Sequence, residues 1–380
     1  MSAVSSGSPD DDFGAPEVNI VEGKSTPTDH LNWRQRASLS EGISRTAGVF
    51  DPAGRFHLIC GNCNSHVAHP YDEVWNPTTN TWSRGLTHPG SGVYNHDAVR
   101  LDNVIYVGGG SQGSGNFYNR LTTIDLTTNT WTSRTSMPLN SFLYYSLAAA
   151  GGQIYCLGGY NQVAVLATVY RYNPTTNAWS ARAPMPEPRR NCLVAVVGDT
   201  IHVFGGMARN DIASTTNTHW KYSLSTNAWT VGTPLPGTLG WGRAVVVTDP
   251  DSGAFIYCLG GVSNGAIVNT VYRYAQRYDT WLIETPLLSA TRSHAAGAQG
   301  DRMFVAGGYN QGMLALAEEV VFRRPDAAVI RIEAPAGRVP VGSVVAPRAL
   351  IRNNGNLEET FSVRFTISDG YEHTRTVTLA

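Results

Sequence analysis

Asn173-Pro-Thr-Thr-Asn177-Ala-Trp179 decides the fold, because close copies of this stretch return along the chain. The other copies are Asn76-Pro-Thr-Thr-Asn80-Thr-Trp82, Leu126-Thr-Thr-Asn129-Thr-Trp131 and Leu224-Ser-Thr-Asn227-Ala-Trp229. Proline presets φ at the second position of a turn, and asparagine tolerates the left-handed backbone that precedes the next strand. Each copy therefore predicts a tight turn leading into a strand that carries tryptophan.

Two ladders of landmark residues extend this period over most of the chain. Tryptophans recur about every 50 residues, a spacing typical of repeat arrays, at Trp33, Trp82, Trp131, Trp179, Trp229 and Trp281. Between them lie Gly61-Asn62, Gly109-Gly110, Gly158-Gly159, Gly205-Gly206, Gly260-Gly261 and Gly307-Gly308. Glycine is used where φ is positive, and asparagine tolerates that conformation next best. In the first copy, asparagine is therefore expected to replace the second glycine.

One repeat contains enough strand signals for a small sheet. The apolar run 193–197, the Gly198-Asp199 pair and the run 201–204 predict a hairpin. A third strand with alternating polarity is predicted at 169–172, and its counterparts lie at 219–222 and 271–274. With the tryptophan-bearing strand, each repeat is expected to form four antiparallel strands.

These residues resemble the kelch motif, in which a double glycine is followed by a tyrosine and then by a tryptophan. The tyrosine position is occupied by Trp75, Ile124, Tyr172, Tyr222, Tyr274 and Phe322. The resemblance implies that residues 30–325 form a six-bladed β-propeller, each repeat being one blade, so the fold is expected to be all-β.

The order of the landmarks predicts how the ring closes. Trp33 precedes every glycine pair, and no tryptophan follows Gly307-Gly308. Residues 31–36 are therefore expected to supply the outer strand of the sixth blade, and closure removes exposed sheet edges. Residues 1–29 are expected to be a flexible N-terminal segment. Strands expected at 329–332, 344–351, 361–367 and 374–379 resemble part of an immunoglobulin-like module of bacterial surface proteins at 326–380.

Composition restricts the classes of partner. The net charge of −1 and the 15% of charged residues give no footprint for nucleic acid. No apolar stretch is long enough to insert into a membrane, and the first residues lack the basic and apolar parts of a signal peptide. The polar, Asn/Thr-rich surface still favours an extracellular or cell-surface location. No cofactor is expected.

The loops around the central channel are the candidate ligand site. In the kelch propellers that this chain resembles, this face commonly binds ligands. The loops that enter the inner strands and those after the glycine pairs together offer Arg45, Tyr94, His96, Tyr144, Tyr160, Arg190, Trp241, Arg243, Arg292, His294 and Tyr309. Aromatic rings beside arginine suit sugar rings, carboxylates or an extended peptide, so a glycan or protein ligand is expected.

A second candidate site lies in the stretch His57-Leu-Ile-Cys60-Gly-Asn-Cys63-Asn-Ser-His66-Val-Ala-His69. Cys60, Cys63, His66 and His69 are residue types that bind zinc. A disulfide between Cys60 and Cys63, or a loop with neither feature, would also fit the sequence.

The function expected from these patterns is binding, without catalysis, by a bacterial secreted or surface protein. The alternatives are enzymes. A sialidase or sialic-acid epimerase would need several arginines and an acid such as Asp97 or Asp211. A copper oxidase similar to galactose oxidase would need two tyrosines and histidines, which Tyr94 and His96 or His294 imitate only in part.

Overall fold

The computed structural model describes residues 31–322, apart from 66–67, 91, 114–116, 139–142 and 250–252. It also describes the backbone of five strands outside that range. The chain divides into two compact units, one spanning His30–Val321 and the other combining Met1–Asp29 with Phe322–Ala380. Across the described parts, no helix has the length and apolar character needed to cross a membrane.

Strands account for the regular structure of the first unit. The strands are numbered along the chain, so β1 (Glu17–Val21) of the second unit comes before β2 (Arg34–Gln35) and β3 (Ile43–Ser44) of the first. Blade 1 follows with β4 (Ala47–Phe50), β5 (Phe56–Ile59), the short β6 (Asn62–Cys63), β7 (Tyr71–Asn76) and β8 (Thr81–Thr87). Blade 2 consists of β9 (Asp97–Leu101), β10 (Val104–Ser111), β11 (Phe117–Asp125) and β12 (Thr130–Arg134). Blade 3 consists of β13 (Ser146–Ala150), β14 (Gln153–Leu157), β15 (Val169–Asn173) and β16 (Ala178–Arg182).

The remaining blades follow the same plan. Blade 4 consists of β17 (Leu193–Val197), β18 (Thr200–Phe204), β19 (His219–Ser223) and β20 (Ala228–Val231). Blade 5 consists of β21 (Arg243–Asp249), β22 (Gly253–Ser263), β23 (Ala266–Ala275) and β24 (Thr280–Glu284), with a 3-10 turn at Gln276–Tyr278. Blade 6 contains β25 (Ala295–Gln299), β26 (Arg302–Ala306) and β27 (Ala317–Val321).

Blade 6 is completed from the other end of the chain, as the sequence predicts. Its sheet has the order β2-β27-β26-β25, and β2 pairs antiparallel with β27 through Arg34 and Glu319. The indole Nε1 of Trp33 donates to the carbonyl of Thr285 in blade 5 at 3.2 Å. The six-bladed ring and its closure by an N-terminal strand are thereby confirmed.

The core lies between blades. Each of five buried clusters draws side chains from two neighbouring blades. At the closing seam, Trp75 of blade 1 stacks on Phe304 of blade 6 with ring centroids 4.2 Å apart. The inner strands surround a central channel that contains a cavity of about 320 Å³. Because the apolar surface is buried between sheets, a single blade could not bury its own core.

In blades 1, 3, 4 and 5, the turn before the outer strand joins the blade to the strand or blade before it. In blade 3, Asn177 has a φ of 51°, and its side-chain oxygen accepts from the N–H of Thr135 at 3.0 Å. Trp179 donates its Nε1 to the carbonyl of Thr135 at 2.9 Å. Equivalent tryptophan bonds are made by Trp82, Trp229 and Trp281. The repeated spacing of asparagine and tryptophan thus places hydrogen bonds that connect neighbouring sheets.

The glycine pair of blade 1 lies one residue earlier than the sequence suggests. In the other five blades both glycines have positive φ, whereas in blade 1 these conformations belong to Cys60 (49°) and Gly61 (129°). Gly61 donates its N–H to Val93 of the next blade, as Gly206 does to Leu239. Cys60 therefore replaces the first glycine, and the expectation that Asn62 replaces the second was wrong.

The second unit contains β1 and four C-terminal strands, β28 (Ala327–Ala334), β29 (Arg348–Asn353), β30 (Glu359–Thr366) and β31 (Glu372–Leu379). Its strand orders are β1-β30-β31 and β28-β29. Residues 17–21, inside the segment expected to be flexible, thus form a strand. The assignment of 326–380 to an immunoglobulin-like module stays a prediction.

Candidate functional site

Six residues, one before each inner strand, form a ring around one mouth of the channel. This mouth ring comprises Arg45, Asn95, Tyr144, Asn191, Trp241 and Ser293, all with φ between 52° and 60°. Five of the six donate their N–H to the carbonyl of the member in the preceding blade, at 2.7–3.1 Å. The left-handed turn lets each residue reach back to its neighbour, so the backbone of the mouth is fixed by its own hydrogen bonds.

Large and small side chains alternate around the mouth ring. Asn95, Asn191 and Ser293 are small and polar, and asparagine tolerates positive φ well. Arg45, Tyr144 and Trp241 are bulky, and bulky residues pay on the order of 1 kcal/mol or more for this conformation. Strain of this kind clusters at functional sites, so the bulky members are candidates for a role other than folding.

Two further arginines join the aromatic members. The guanidinium carbon of Arg190 lies 5.0 Å from the ring centroid of Tyr144 and 5.5 Å from that of Trp241. Arg292 lies 4.3 Å from Trp241 and 4.7 Å from Tyr309. Cation–π contacts of this length hold both partners in place. The result is a continuous arc of alternating aromatic rings and guanidinium groups.

The arginines of this arc have no acidic partner. Among the described residues, none of Arg45, Arg190 and Arg292 forms an ion pair, and the Nε of Arg292 has no hydrogen-bond acceptor. Burial lowers the pKa of Arg190, and burial together with the charge of Arg45 lowers the pKa of Arg292. Both shifts mean that the protein destabilises the charged form of these two guanidinium groups. A bound anion would offset that destabilisation.

Open space adjoins the arc. A groove of about 250 Å³ runs from the mouth ring across the loops of blades 2 and 3, and its lining includes Arg45, Tyr94, Tyr144, Tyr160, Phe117 and Asn210. A small cavity of about 50 Å³ lies at the centre of the mouth ring. Arg45 also lies 5.7 Å from the ring of Tyr94. Eight of the expected ligand-site residues, including Tyr160 and Tyr309, therefore lie on or beside the arc and groove.

Of the other three expected residues, two are buried histidines and the third, Arg243, is a partly exposed arginine that lines the channel and the small mouth cavity. His96 and His294 are 5% and 0% exposed, and burial with the nearby charge of Arg243 lowers the pKa of each to about 3. Arg243 braces the channel, because its guanidinium bonds Asp97 at 2.7 Å and the carbonyls of Thr46 and His294. This arginine links blades 5, 1, 2 and 6, so its side chain serves the fold.

The acids considered for catalysis form no ion pair with Arg45, Arg190 or Arg292 within the described residues, although the charge of Asp211 acts on Arg190. Asp97 is buried and accepts from Arg243 and from the N–H of Leu147. Asp211 is half exposed and lies 3.7 Å from Arg209.

The candidate metal ligands separate into two environments. Cys60 is buried and forms no disulfide with Cys63, and burial raises the pKa of its thiol to about 12. Cys63 and His69 instead lie together, with 3.6 Å between Sγ and Nδ1. Glu41, which the sequence analysis missed, lies 3.7 Å from the same Nδ1. His66 lies outside the described residues.

Long-range pairing explains why Glu41 was missed. Strand β3 pairs with β6 through Ile43 and Cys63, which draws the segment before β3 over the blade 1 loop. Nothing in the local sequence announces that pairing. The repeated aromatic and arginine positions, by contrast, were visible because each has a counterpart in other blades.

Comparison with known proteins follows the same repeats. A family model described as the KLHDC2/KLHL20/DRC7 Kelch-repeats domain matches residues 53–248. Kelch-like protein 35 of Mus musculus is 27% identical over 157 residues, covering 41% of this chain and 26% of that protein. Kelch-like protein 23 of Homo sapiens is 32% identical over 143 residues, covering 36% and 25%. The matches thus span about a quarter of these curated relatives.

A solved structure agrees on the architecture. The one described as "Structure of YjhT" has a TM-score of 0.61 at 14% identity and covers 74% of this chain and 96% of that chain. At this identity the similarity concerns the fold alone.

Proposed function

This chain belongs to the kelch-repeat family, and from that premise we propose that its propeller binds a protein partner at the channel mouth. The observation that supports the proposal is the arc, in which Arg190 and Arg292 lie between Tyr144, Trp241 and Tyr309, together with Arg45 of the mouth ring; within the described residues none of the three arginines forms an ion pair. An unpaired guanidinium group offers a planar, bidentate site for a carboxylate. The flanking rings offer rigid apolar area at low entropic cost.

We infer that the bound segment carries one or more Asp or Glu side chains and lies across the mouth ring, from the groove at Arg45 and Tyr144 to the arc at Arg292. The groove passes Arg45 and Tyr144, so an extended segment would meet both charge and aromatic surface. Such anchors dominate binding energy at interfaces, whereas the rim contributes little.

The test is a selection from a displayed library of random peptides, followed by affinity measurements on the selected sequences. Peptides selected on the wild type should be enriched in Asp and Glu. Replacing Arg45→Ala or Arg292→Ala should weaken their binding at least tenfold each, since hydrogen bonds to charged groups contribute about 1.5–3 kcal/mol.

The matched control is Arg100→Ala. Arg100 lies on β9 at the end away from the mouth, where it donates to the carbonyl of Asp102. Its replacement should leave affinity unchanged. Arg243 is unsuitable for this test because its loss would disturb four blades. Selected peptides without acidic enrichment, or affinities indifferent to Arg45 and Arg292, would contradict the site; binding of acidic glycans instead would change the class of ligand.

The location outside the cell or at a bacterial cell surface is likewise our proposal, based on the polar Asn/Thr-rich composition. The segment 326–380 would then act as a spacer or attachment module. Antibody labelling of intact cells of the source organism tests the location, and labelling only after permeabilisation would contradict it.

A further inference from the structure

Three side chains with metal-binding atoms converge at the seam where the ring closes. One atom each of Glu41, Cys63 and His69 lies within 4.8 Å of the other two. Glu41 follows β2, the strand that completes blade 6, while Cys63 and His69 belong to the loop of blade 1. The cluster therefore joins the N-terminal clasp to the first blade.

The distances fit a tetrahedral ion. For zinc–sulfur and zinc–nitrogen bonds of about 2.3 and 2.0 Å, tetrahedral geometry places the two ligand atoms roughly 3.5 Å apart. Cys63 Sγ and His69 Nδ1 are 3.6 Å apart, which is close to that edge and also suits a hydrogen bond to sulfur. Glu41 Oε1 lies 3.7 Å from the same nitrogen.

The surroundings orient the ligands as a metal site requires. The other ring nitrogen of His69, Nε2, lies 3.1 Å from Glu73 Oε1, and a carboxylate at this position favours the tautomer with the proton on Nε2 and the lone pair on Nδ1. Glu41 is held by Ser65, whose N–H and hydroxyl both donate to its carboxylate.

We propose that Glu41, Cys63 and His69 bind one zinc ion that clips the N-terminal segment to blade 1. Thiolate, imidazole and carboxylate together suit zinc better than calcium or magnesium, which prefer oxygen ligands alone. One thiolate and one carboxylate balance the two charges of the ion, so a neutral unit can be buried there. A water molecule completes the coordination.

A metal-free interpretation uses the same residues. Cys63 would share a proton with Glu41 or His69, and the cluster would be an ordinary hydrogen-bonded loop. In the metal-free cluster a proton lies between the imidazole nitrogen and the thiol or carboxylate that face it, whereas in the metal site the ion lies there. The two interpretations predict different responses to added metal.

The experiment uses the full chain, stripped with a chelator and titrated with cobalt and then zinc. Cobalt should bind at one ion per chain and give a thiolate-to-cobalt charge-transfer band with the strong visible absorption of a tetrahedral site. Zinc should displace it and raise the Tm, because an ion bound only by the folded state stabilises that state. Elemental analysis gives the stoichiometry.

Variants connect these signals to the cluster. Cys63→Ser should abolish the charge-transfer band and the zinc-dependent rise in Tm. Glu73→Gln should keep the band but weaken zinc affinity by about 10–100-fold, as loss of an outer carboxylate does. Cys156→Ala removes an equally buried thiol between blades 2 and 3 and should change neither signal.

The partly exposed Glu41 keeps the test decisive even if Cys63→Ser does not fold. Its side chain is 22% exposed, so Glu41→Gln should fold normally and bind zinc at least tenfold more weakly. A wild-type protein that shows no thiolate–cobalt band, or zinc affinity equal in the wild type and in Glu41→Gln, would overturn the proposal.

Discussion

Among the six residues of the mouth ring, Tyr144 and Trp241 carry the largest side chains on a left-handed backbone. Their rings lie 6.1 Å apart in a T-shaped arrangement, with Arg190 beside both. At the equivalent positions of blades 2 and 4, asparagine makes the same turn without this cost. The bulky side chains are therefore better explained by what they contact at the surface than by the turn.

Replacing Tyr144→Asn separates these two roles. Relief of backbone strain, on the order of 1 kcal/mol, should offset the lost contact with Arg190, so the Tm should stay within a few degrees of the wild type. Affinity for peptides selected on the wild type should fall at least tenfold. Calorimetry and fluorescence anisotropy measure both. The reciprocal change Asn95→Tyr should lower stability, and a tyrosine tolerated there without loss would remove the strain argument.

His57 is a second residue whose environment makes a definite prediction. Its Nδ1 lies 2.8 Å from Asp72 and its Nε2 lies 3.4 Å from Asp51. Burial alone would lower the pKa of His57, but the two carboxylates outweigh it and raise the pKa to about 9. Since unfolded histidine titrates near pH 6.5, the stabilisation is complete below about pH 6.5 and is lost as pH rises through about 9.

His57→Gln should therefore be less stable than the wild type at pH 6, by on the order of 3 kcal/mol, and this difference should shrink by pH 9.5. Urea unfolding at several pH values measures it. Arg55 and Glu73, the nearby charged groups, are unchanged in both proteins and so act equally on each. A difference that grew with pH would mean that His57 is neutral in the folded protein.

At the scale of the strand and its turn, tryptophan acts as a clamp through one hydrogen bond as well as through packing. Trp179 donates to blade 2 at 2.9 Å, whereas the Nε1 of Trp131 has no partner among the described residues. The edge of Trp131 faces His88, with ring centroids 4.8 Å apart. The two positions are equivalent along the sequence but differ in this bond.

Trp179→Phe should therefore cost about 1 kcal/mol more than Trp131→Phe, the usual net contribution of one hydrogen bond. Thermal or urea unfolding of the two variants makes the comparison. Equal losses would assign the whole contribution of both tryptophans to ring packing.

The elements were predictable to the extent that they repeat. Trp179 and Asn177 have counterparts in other blades, so a single sequence reveals their spacing and hence the four-stranded unit. Cys60 broke the pattern, and the glycine pair of blade 1 was placed one residue late because Gly61-Asn62 imitates it. Glu41 could not be found at all, since its neighbour Cys63 is brought to it by the pairing of β3 with β6.

At the scale of the whole molecule, the closing strand and the residues beside it contribute more to the stability of the propeller than a strand of two residues suggests. Leu31, Trp33 and Leu39 are buried beside it, and Arg36 pairs with Glu319. Deleting residues 1–40 should lower the Tm of the propeller strongly. Deleting residues 1–25 removes β1, which belongs to the other compact unit, and should leave that Tm unchanged. Calorimetry of both truncations checks this, and equal melting temperatures would refute the clasp.

The same closure delays the pairing of the N-terminal strand until almost the whole propeller has been synthesised. Arg36 and Glu319 are separated by 283 residues, nearly the entire propeller. At a ribosomal speed of 5–20 residues per second, the N-terminal strand must wait roughly 15–60 s for its partner. During that interval the indole of Trp33 and its apolar neighbours lack the contacts that bury them in the folded propeller. This segment of a nascent chain is therefore the most exposed to chaperones and to pairing with a second copy of the protein.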